Sequence, residues 1–340
     1  MSIATTAHKV VAVARSGMVV QWELAKEPQV VSGLRAVQVA ASCPGLDFSE
    51  ADDHFAAVST SGCVVRWGGS LGSVDPPAPE PVAVGLPPGW VVKEVSCGGS
   101  FLACVAERGS QRRAWWWGRL GSLRGRRNAG CVAATPEQLE TAQVKQVCCG
   151  GYHLGVLEES GDLLTMGVAR CGATEGDYLG QGNVGDCRRP TRIESLAGRV
   201  VHAAAGEIMM GCVTRDDQVY TWGDNDQSSL GIGGREQHQD VPHIVDALTG
   251  RNTQHLRFSF GNSAAVTADS RLFLWGTEGG KWRTTPGLNT PIPQEFNLGS
   301  SESTCKVLEC VVGPRHTLAI AYNRSHQLAG AEASLDLCPV

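Results

Sequence analysis

Apolar and polar positions along this chain fall into short runs, and the runs recur. An apolar run, a turn and a second run ending in Trp or Met plus a small residue form one unit. The first copy is His8-Lys-Val-Val-Ala-Val13 with Gly17-Met-Val-Val-Gln-Trp22, and the second is His54-Phe-Ala-Ala-Val58 with Gly62-Cys-Val-Val-Arg-Trp67-Gly68. Phe101-Leu-Ala-Cys-Val105 leads to Trp115-Trp-Trp117-Gly118, and His153-Leu-Gly-Val-Leu157 leads to Leu163-Leu-Thr-Met166-Gly167. Two further copies close on Val219-Tyr-Thr-Trp222-Gly223 and Leu272-Phe-Leu-Trp275-Gly276, and a partial one is His316-Thr-Leu-Ala-Ile-Ala321. The markers Trp22, Trp67, Trp117, Met166, Trp222 and Trp275 stand 45 to 56 residues apart. That period is the length of a propeller blade, longer than a leucine-rich or two-helix repeat. The runs have strand period, and no segment carries a capped helical period. The expectation is an all-β, single circular β-propeller of four-stranded blades.

A lone blade cannot bury both faces of its sheet, so blades must stack into a ring. The repeated Trp or Met then reads as a blade-to-blade packing group, and the Gly after it as a place where the backbone turns sharply. The repeat spans the chain, so residues 1–340 read as one domain with atypical ends. Seven first strands and six Trp or Met strands are visible, which favours seven blades. Residues 1–7 are expected to add an inner strand to the first blade, and residues 323–340 an outer hairpin to the seventh. A six-bladed ring closed by strands from both ends is the alternative.

Composition narrows the function. The 42 Gly and 16 Pro suit many tight turns. A net charge of −5 argues against a general nucleic-acid binder. No 18-residue apolar stretch, secretory signal or lipidation motif occurs, so membrane insertion is not expected and an intracellular protein of cytoplasm or nucleus is. The 13 cysteines show neither Cys-x-x-Cys nor zinc spacing. They read as small buried thiols, and no metal or cofactor is expected. Cys148 and Cys149 are strand neighbours, so one must point away from the other. Gly180-Gln-Gly182-Asn-Val-Gly185 matches a dinucleotide fingerprint, and Gly68-Gly-Ser70-Leu-Gly72 a nucleophile elbow. Neither opens a helix, so both read as blade turns. No catalytic constellation is found, and the protein reads as non-enzymatic. His8, His54, His153 and His316 stand at corresponding places and read as structural hydrogen-bonding groups.

Val95-Ser-Cys97-Gly98-Gly99 and Val147-Cys-Cys149-Gly150-Gly151-Tyr-His153 precede first strands. Leu179-Gly-Gln-Gly182 and Leu230-Gly-Ile-Gly233 follow Trp or Met strands, and then come Pro190 and Pro242. This order resembles the regulator of chromosome condensation repeat family, to which the alpha-tubulin suppressor-like propellers also belong. The resemblance covers nearly the whole chain and is strongest in units 4 and 5. Units 3, 5 and 6 read with Phe101, Met209 and Ala264 where the family has His. The resemblance implies a seven-bladed, monomeric interaction scaffold or regulator. Its alternative implication is guanine-nucleotide exchange on a small GTPase, the activity of the family's founding member. Ultraviolet-B sensing, known in a plant relative, uses Gly-Trp-Arg-His-Thr motifs, and here Gly313-Pro-Arg-His-Thr317 has Pro in place of Trp.

Two segments stand outside the repeat. Residues 108–127 hold seven Arg and no acid. Arg112, Arg113, Arg119, Arg124, Arg126 and Arg127 are therefore candidates for binding a protein partner or an anionic ligand. The 168–178 segment is an expanded loop carrying Glu175 and Asp177, the candidate exchange loop. Asp224-Asn-Asp-Gln227, after the fifth Trp-Gly, reads as a turn.

Overall fold

The computed structural model describes residues 2–6, 8–23, 26–42, 53–69, 78–120, 131–169, 177–182, 185–234, 236–276, 290–296, 305–313, 317–323 and 336–339. Among them the elements are antiparallel strands, apart from the short 3-10 turns Glu194–Leu196 and Asp246–Leu248. The strands form a seven-bladed β-propeller. The inner strands are Ser2–Thr5, residues 36–41, Val91–Cys97, Val144–Cys149, Val200–Ala205, Thr253–Phe258 and Cys305–Val312. The first two blades share the long strand Gln29–Ala41. Its first half is the outer strand of blade 1 and its second half the inner strand of blade 2.

Both chain ends enter the ring. Ser2–Thr5 pairs with Lys9–Val13, as the sequence suggests. Asp336–Pro339 pairs with Thr317–Asn323 as the third strand of blade 7, where an outer hairpin was expected. Blades 1 and 7 meet through Ile3, Val10, Val311, Leu318 and Ile320, all buried.

The Trp-Gly step has a single geometric cause. Gly68, Gly118, Gly167, Gly223 and Gly276 all have φ between +91° and +127°. A Cβ on any of them would lie 2.1–2.6 Å from the carbonyl oxygen preceding the neighbouring strand, for example Ile208 O at Gly223. Register with the outer strand slips at this same step in each blade. The residue before this Gly is driven into the interface with the preceding blade. Trp222 and Trp275 are fully buried and donate Nε1–H to Tyr178 O (3.1 Å) and Ser229 O (2.8 Å) of the preceding blade's loop. Trp67, Trp117 and Met166 are also buried, while Trp22 is half-buried.

The Gly-x-Gly turns hold the same seams. A Cβ at Gly180 would meet the Trp222 indole at 2.7 Å, and one at Gly231 the Trp275 indole at 2.6 Å. Gly182 N–H and Gly233 N–H donate to Asp240 O and Pro291 O on the next blade's outer strand, each at 3.0 Å. Those outer strands carry Pro79 and Pro81, Pro136, Pro190, Pro242, and Pro291 with Pro293. Proline removes donors from the open edge and blunts pairing with other chains.

Register corrects two equivalences. Lys9, not His8, pairs with the residue after Trp22, while His54 and His153 pair with Gly68 and Gly167. In blade 6 the position is Asn262, paired with Gly276, rather than Ala264. His316 lies outside the described residues.

Candidate functional site

In blades 2 to 6 the third strand runs from a hairpin turn on one face of the ring to the Trp-Gly or Met-Gly corner on the other. This direction divides the arginine-rich stretch. Gln111–Leu120 is one ten-residue strand, so Arg112 and Arg119 are separated by roughly 23 Å along it. They lie toward opposite faces. Arg112 is held at its face by Glu159 (2.6 Å) and Glu107 (3.2 Å). Arg113 donates to Gln143 Oε1 and Ala142 O. Arg119 is half-buried and has no carboxylate partner among the described residues. Arg124, Arg126 and Arg127 lie outside the described residues.

Glu175 is also outside them. Asp177 is fully buried, and its carboxylate accepts Leu179 N–H at 2.7 Å, setting the turn that seats Trp222. Its own N–H donates to Asp240 Oδ1 (2.7 Å). Asp224 and Asn225 behave similarly: they accept Asp226 N–H and Leu230 N–H, and Asn225 donates to Glu236 O. Burial pushes the Asp224 carboxyl up to about 6.

The inner strands surround a cavity of about 250 Å³ on the ring axis. Gln38, Glu94, Gln146 and Glu309 help line it, and they belong to a rule of the inner strands invisible in the local motifs. In six blades the inner strand carries a one-residue bulge, and the residue after it is Gln38, Glu94, Gln146, His202, His255 or Glu309. Gln38, Glu94, Gln146 and His202 reach toward the next blade, whereas Glu309 meets Arg257 of the preceding one. Gln38 Oε1 accepts Val95 N–H (2.9 Å), and Glu94 accepts Val147 N–H. Gln146 accepts Ala203 N–H and donates to Ala203 O, each at 3.0 Å. His202 bonds the Leu256 backbone, and Glu309 receives Arg257 at 3.4 Å. Ser2 does the same in blade 1, accepting Val39 N–H (3.2 Å). A polar belt therefore stitches successive inner strands. The sequence signal is a polar residue four positions before the first Gly of the Cys-Gly-Gly turns, one step upstream of the motif read above.

The turns themselves form a second belt. Gly99 N–H donates to Gly151 O, and Gly151 N–H to Glu207 O. His153 packs on Gly150 and reaches Met209 O (3.3 Å), so burial holds its imidazole neutral, down to about 4. Among the described thiols Cys97, Cys104, Cys148, Cys149, Cys212 and Cys310 are buried, whereas Cys63 is exposed and Cys131 and Cys187 are half-buried; Cys148 and Cys149 face different apolar clusters, and burial pushes Cys148 up to about 12. Such thiols are poor nucleophiles.

Residues 216–266, which contain the Trp222-Gly223 corner and the inner strand of blade 6, match the model of the regulator of chromosome condensation (RCC1) repeat. The chain belongs to the RCC1-like repeat family. It is 30% identical over 270 residues to the human E3 ubiquitin-protein ligase HERC2, covering 74% of this chain and 5% of that protein. It is 26% identical over 238 residues to the ultraviolet-B receptor UVR8 of Arabidopsis thaliana, covering 68% and 53%. The chain thus spans a small part of HERC2 and about half of UVR8. Among solved structures, Prp20p of Saccharomyces cerevisiae superposes with a TM-score of 0.70 at 17% identity, over 93% of this chain and 80% of that one. The RCC1-like turns, corners and proline-bearing outer strands account for the sequence phrases that first pointed to this family. No helix among the described residues is long and apolar enough to cross a membrane.

Proposed function

We propose that residues 1–340 form one monomeric, non-enzymatic propeller that binds protein partners through loops on the face bearing the Trp-Gly corners. The observation that carries this reading is the division of the arginine-rich stretch. Arg112 is neutralised by two carboxylates on one face, whereas Arg119 stands toward the other, near the end of the same strand. Support comes from Prp20p, whose described binding properties are to Gsp1p and histones, both proteins. The setting is intracellular, in cytoplasm or nucleus.

Guanine-nucleotide exchange is the second reading, and Asp177 gives it little support. An exchange wedge must present its acid to the GTPase, whereas this carboxylate is spent on its own turn.

The test is a native-lysate pull-down at two salt concentrations. An Arg119, Arg124, Arg126 and Arg127→Glu variant is expected to lose the salt-sensitive partners and keep its melting temperature. An Arg113→Glu variant, altered on the opposite face, is expected to retain them. Retention of every partner by the first variant at low salt would overturn the assignment. Acceleration of nucleotide release from any member of a small-GTPase panel would favour exchange instead.

A further inference from the structure

On the face that carries the hairpin turns, one sector of the ring differs from the rest. In blades 1 to 3 that face is built from residues 14–18, 33–38, 59–63, 88–93 and 108–111. These segments hold Arg15, Arg35, Lys93 and Arg108 and no Asp or Glu. The hairpin turns of blades 4 to 6, in contrast, hold Glu158, Glu159 and Asp162, then Asp216 and Asp217, then Asp269. Among the cations of blades 1 to 3 lie three bare apolar side chains: Met18 is 36% exposed, Val37 59% and Val91 44%. A chain of net charge −5 thus collects cations and uncovered apolar surface in one place.

Tertiary contacts make the sector continuous across the three blades. Met18 pairs with Arg35 between the strands of blade 1. Arg35 Nη1 donates to Ser16 O (2.7 Å), and Arg35 O accepts Thr60 N–H from the turn of blade 2 (3.0 Å). Gly62 of that turn packs on Val91, whose Cγ1 would lie 2.5 Å from a Cβ there. Gly89 touches the Arg108 stem in the same way at 3.4 Å. The Arg108 guanidinium lies 4.8 Å over the Trp90 ring, and Trp115 braces that ring edge-on at 5.7 Å. Lys93 is paired with Glu107 (3.3 Å), but Arg15, Arg35 and Arg108 have no carboxylate partner among the described residues.

We propose that this sector is a docking surface for a segment of a partner protein whose acidic side chains flank an apolar anchor. It lies on the face opposite Arg119 and is independent of the surface assigned above. Charge sets the sign of the partner, since three unpaired guanidinium groups match carboxylates. The apolar side chains between them select protein over nucleic acid. A phosphate backbone offers nothing to Met18, Val37 and Val91, whereas a protein interface buries such groups together with arginine. Two of the arginines are held before binding, Arg35 by Ser16 O and Arg108 by Trp90, so docking orders fewer side chains.

Panning a random-peptide phage library on the immobilised intact chain tests this. The enriched peptides should combine Asp or Glu with Leu, Ile, Val or Phe. Synthetic copies should bind a Val37→Ser and Val91→Ser double variant about tenfold more weakly than wild type, at low and high salt alike. An Arg15→Glu and Arg35→Glu double variant should weaken them most at low salt and progressively less as salt rises. Arg119→Glu should bind them as wild type does, so this surface and the one on the other face succeed or fail separately. The four altered side chains of the double variants are exposed, and melting temperatures should hold. Enrichment of no peptide, of basic peptides, or of peptides indifferent to both double variants would overturn the proposal. Duplex DNA binding more tightly than any enriched peptide, and lost in the Arg15→Glu and Arg35→Glu variant, would assign the surface to nucleic acid instead.

Discussion

At the residue scale, stability rests on a small group whose shape is used to its limit at every corner. Trp222 fills the interface between blades 4 and 5 and anchors the Asp177–Gly182 turn through its indole N–H. Trp222→Ala should cost about 3–5 kcal/mol in urea unfolding, because truncation leaves a cavity and removes the hydrogen bond to Tyr178 O. Gly223→Ala should cost about 1–3 kcal/mol by a different route. Its φ of +107° excludes a side chain, and the new Cβ would press on Ile208 O. Unchanged unfolding midpoints in both variants would refute the corner as the unit of packing. The first marker, Trp22, is half-exposed and should tolerate truncation better.

At the element scale, hairpin turns among the described residues dock on the start of the next blade's inner strand. Gly17 O accepts Ala36 N–H (2.8 Å), Gly62 O accepts Val92 N–H (2.8 Å) and Gly161 O accepts Val200 N–H (3.0 Å). These glycines have positive φ, and in blades 5 and 6 Asp217 and Ser270 adopt the same conformation at +56° and +66°. Asp217 is compensated, since its carboxylate accepts Asn252 N–H (2.7 Å) and Thr253 N–H (3.3 Å). Ser270 has no such side-chain clamp among the described residues of the next blade's inner strand, so Ser270→Gly should stabilise by about 0.5–1 kcal/mol, and Asp217→Gly should destabilise. Paired thermal melts check the contrast; stabilisation by both substitutions would mean that the carboxylate clamp is worth nothing.

At the scale of the whole molecule, the ring buries imidazoles that the unfolded chain would protonate. Burial is the main cause holding His153 at about 4 and His202 at about 3. Both are neutral when folded, so acid favours the unfolded chain below about pH 6.5, and stability falls as pH drops toward the folded values. His202→Gln, which copies the residue at Gln38 and Gln146, should match wild type near pH 7 and exceed it by about 2 kcal/mol at pH 5. Urea titrations at the two pH values decide it; equal differences at both would exclude a buried neutral His202. The propeller itself was legible in the chain, because Trp-Gly, Cys-Gly-Gly and Gly-x-Gly recur at blade spacing and each reports a contact every blade must make. Equivalence between blades was less legible: His8 and Lys9 are neighbours, and only hydrogen-bond register tells which one faces the corner. The arginine-rich stretch looked like one surface because charge is read along the chain, whereas the strand carries its two ends to opposite faces. Asp177 looked exposed because it sits in a long loop, yet its carboxylate is buried by the turn it forms. The polar belt was hidden for a related reason, since its members share neither charge nor size. The repeat of local contacts determined the fold; strand direction and ring closure, which join residues about fifty apart, decided what each polar side chain does.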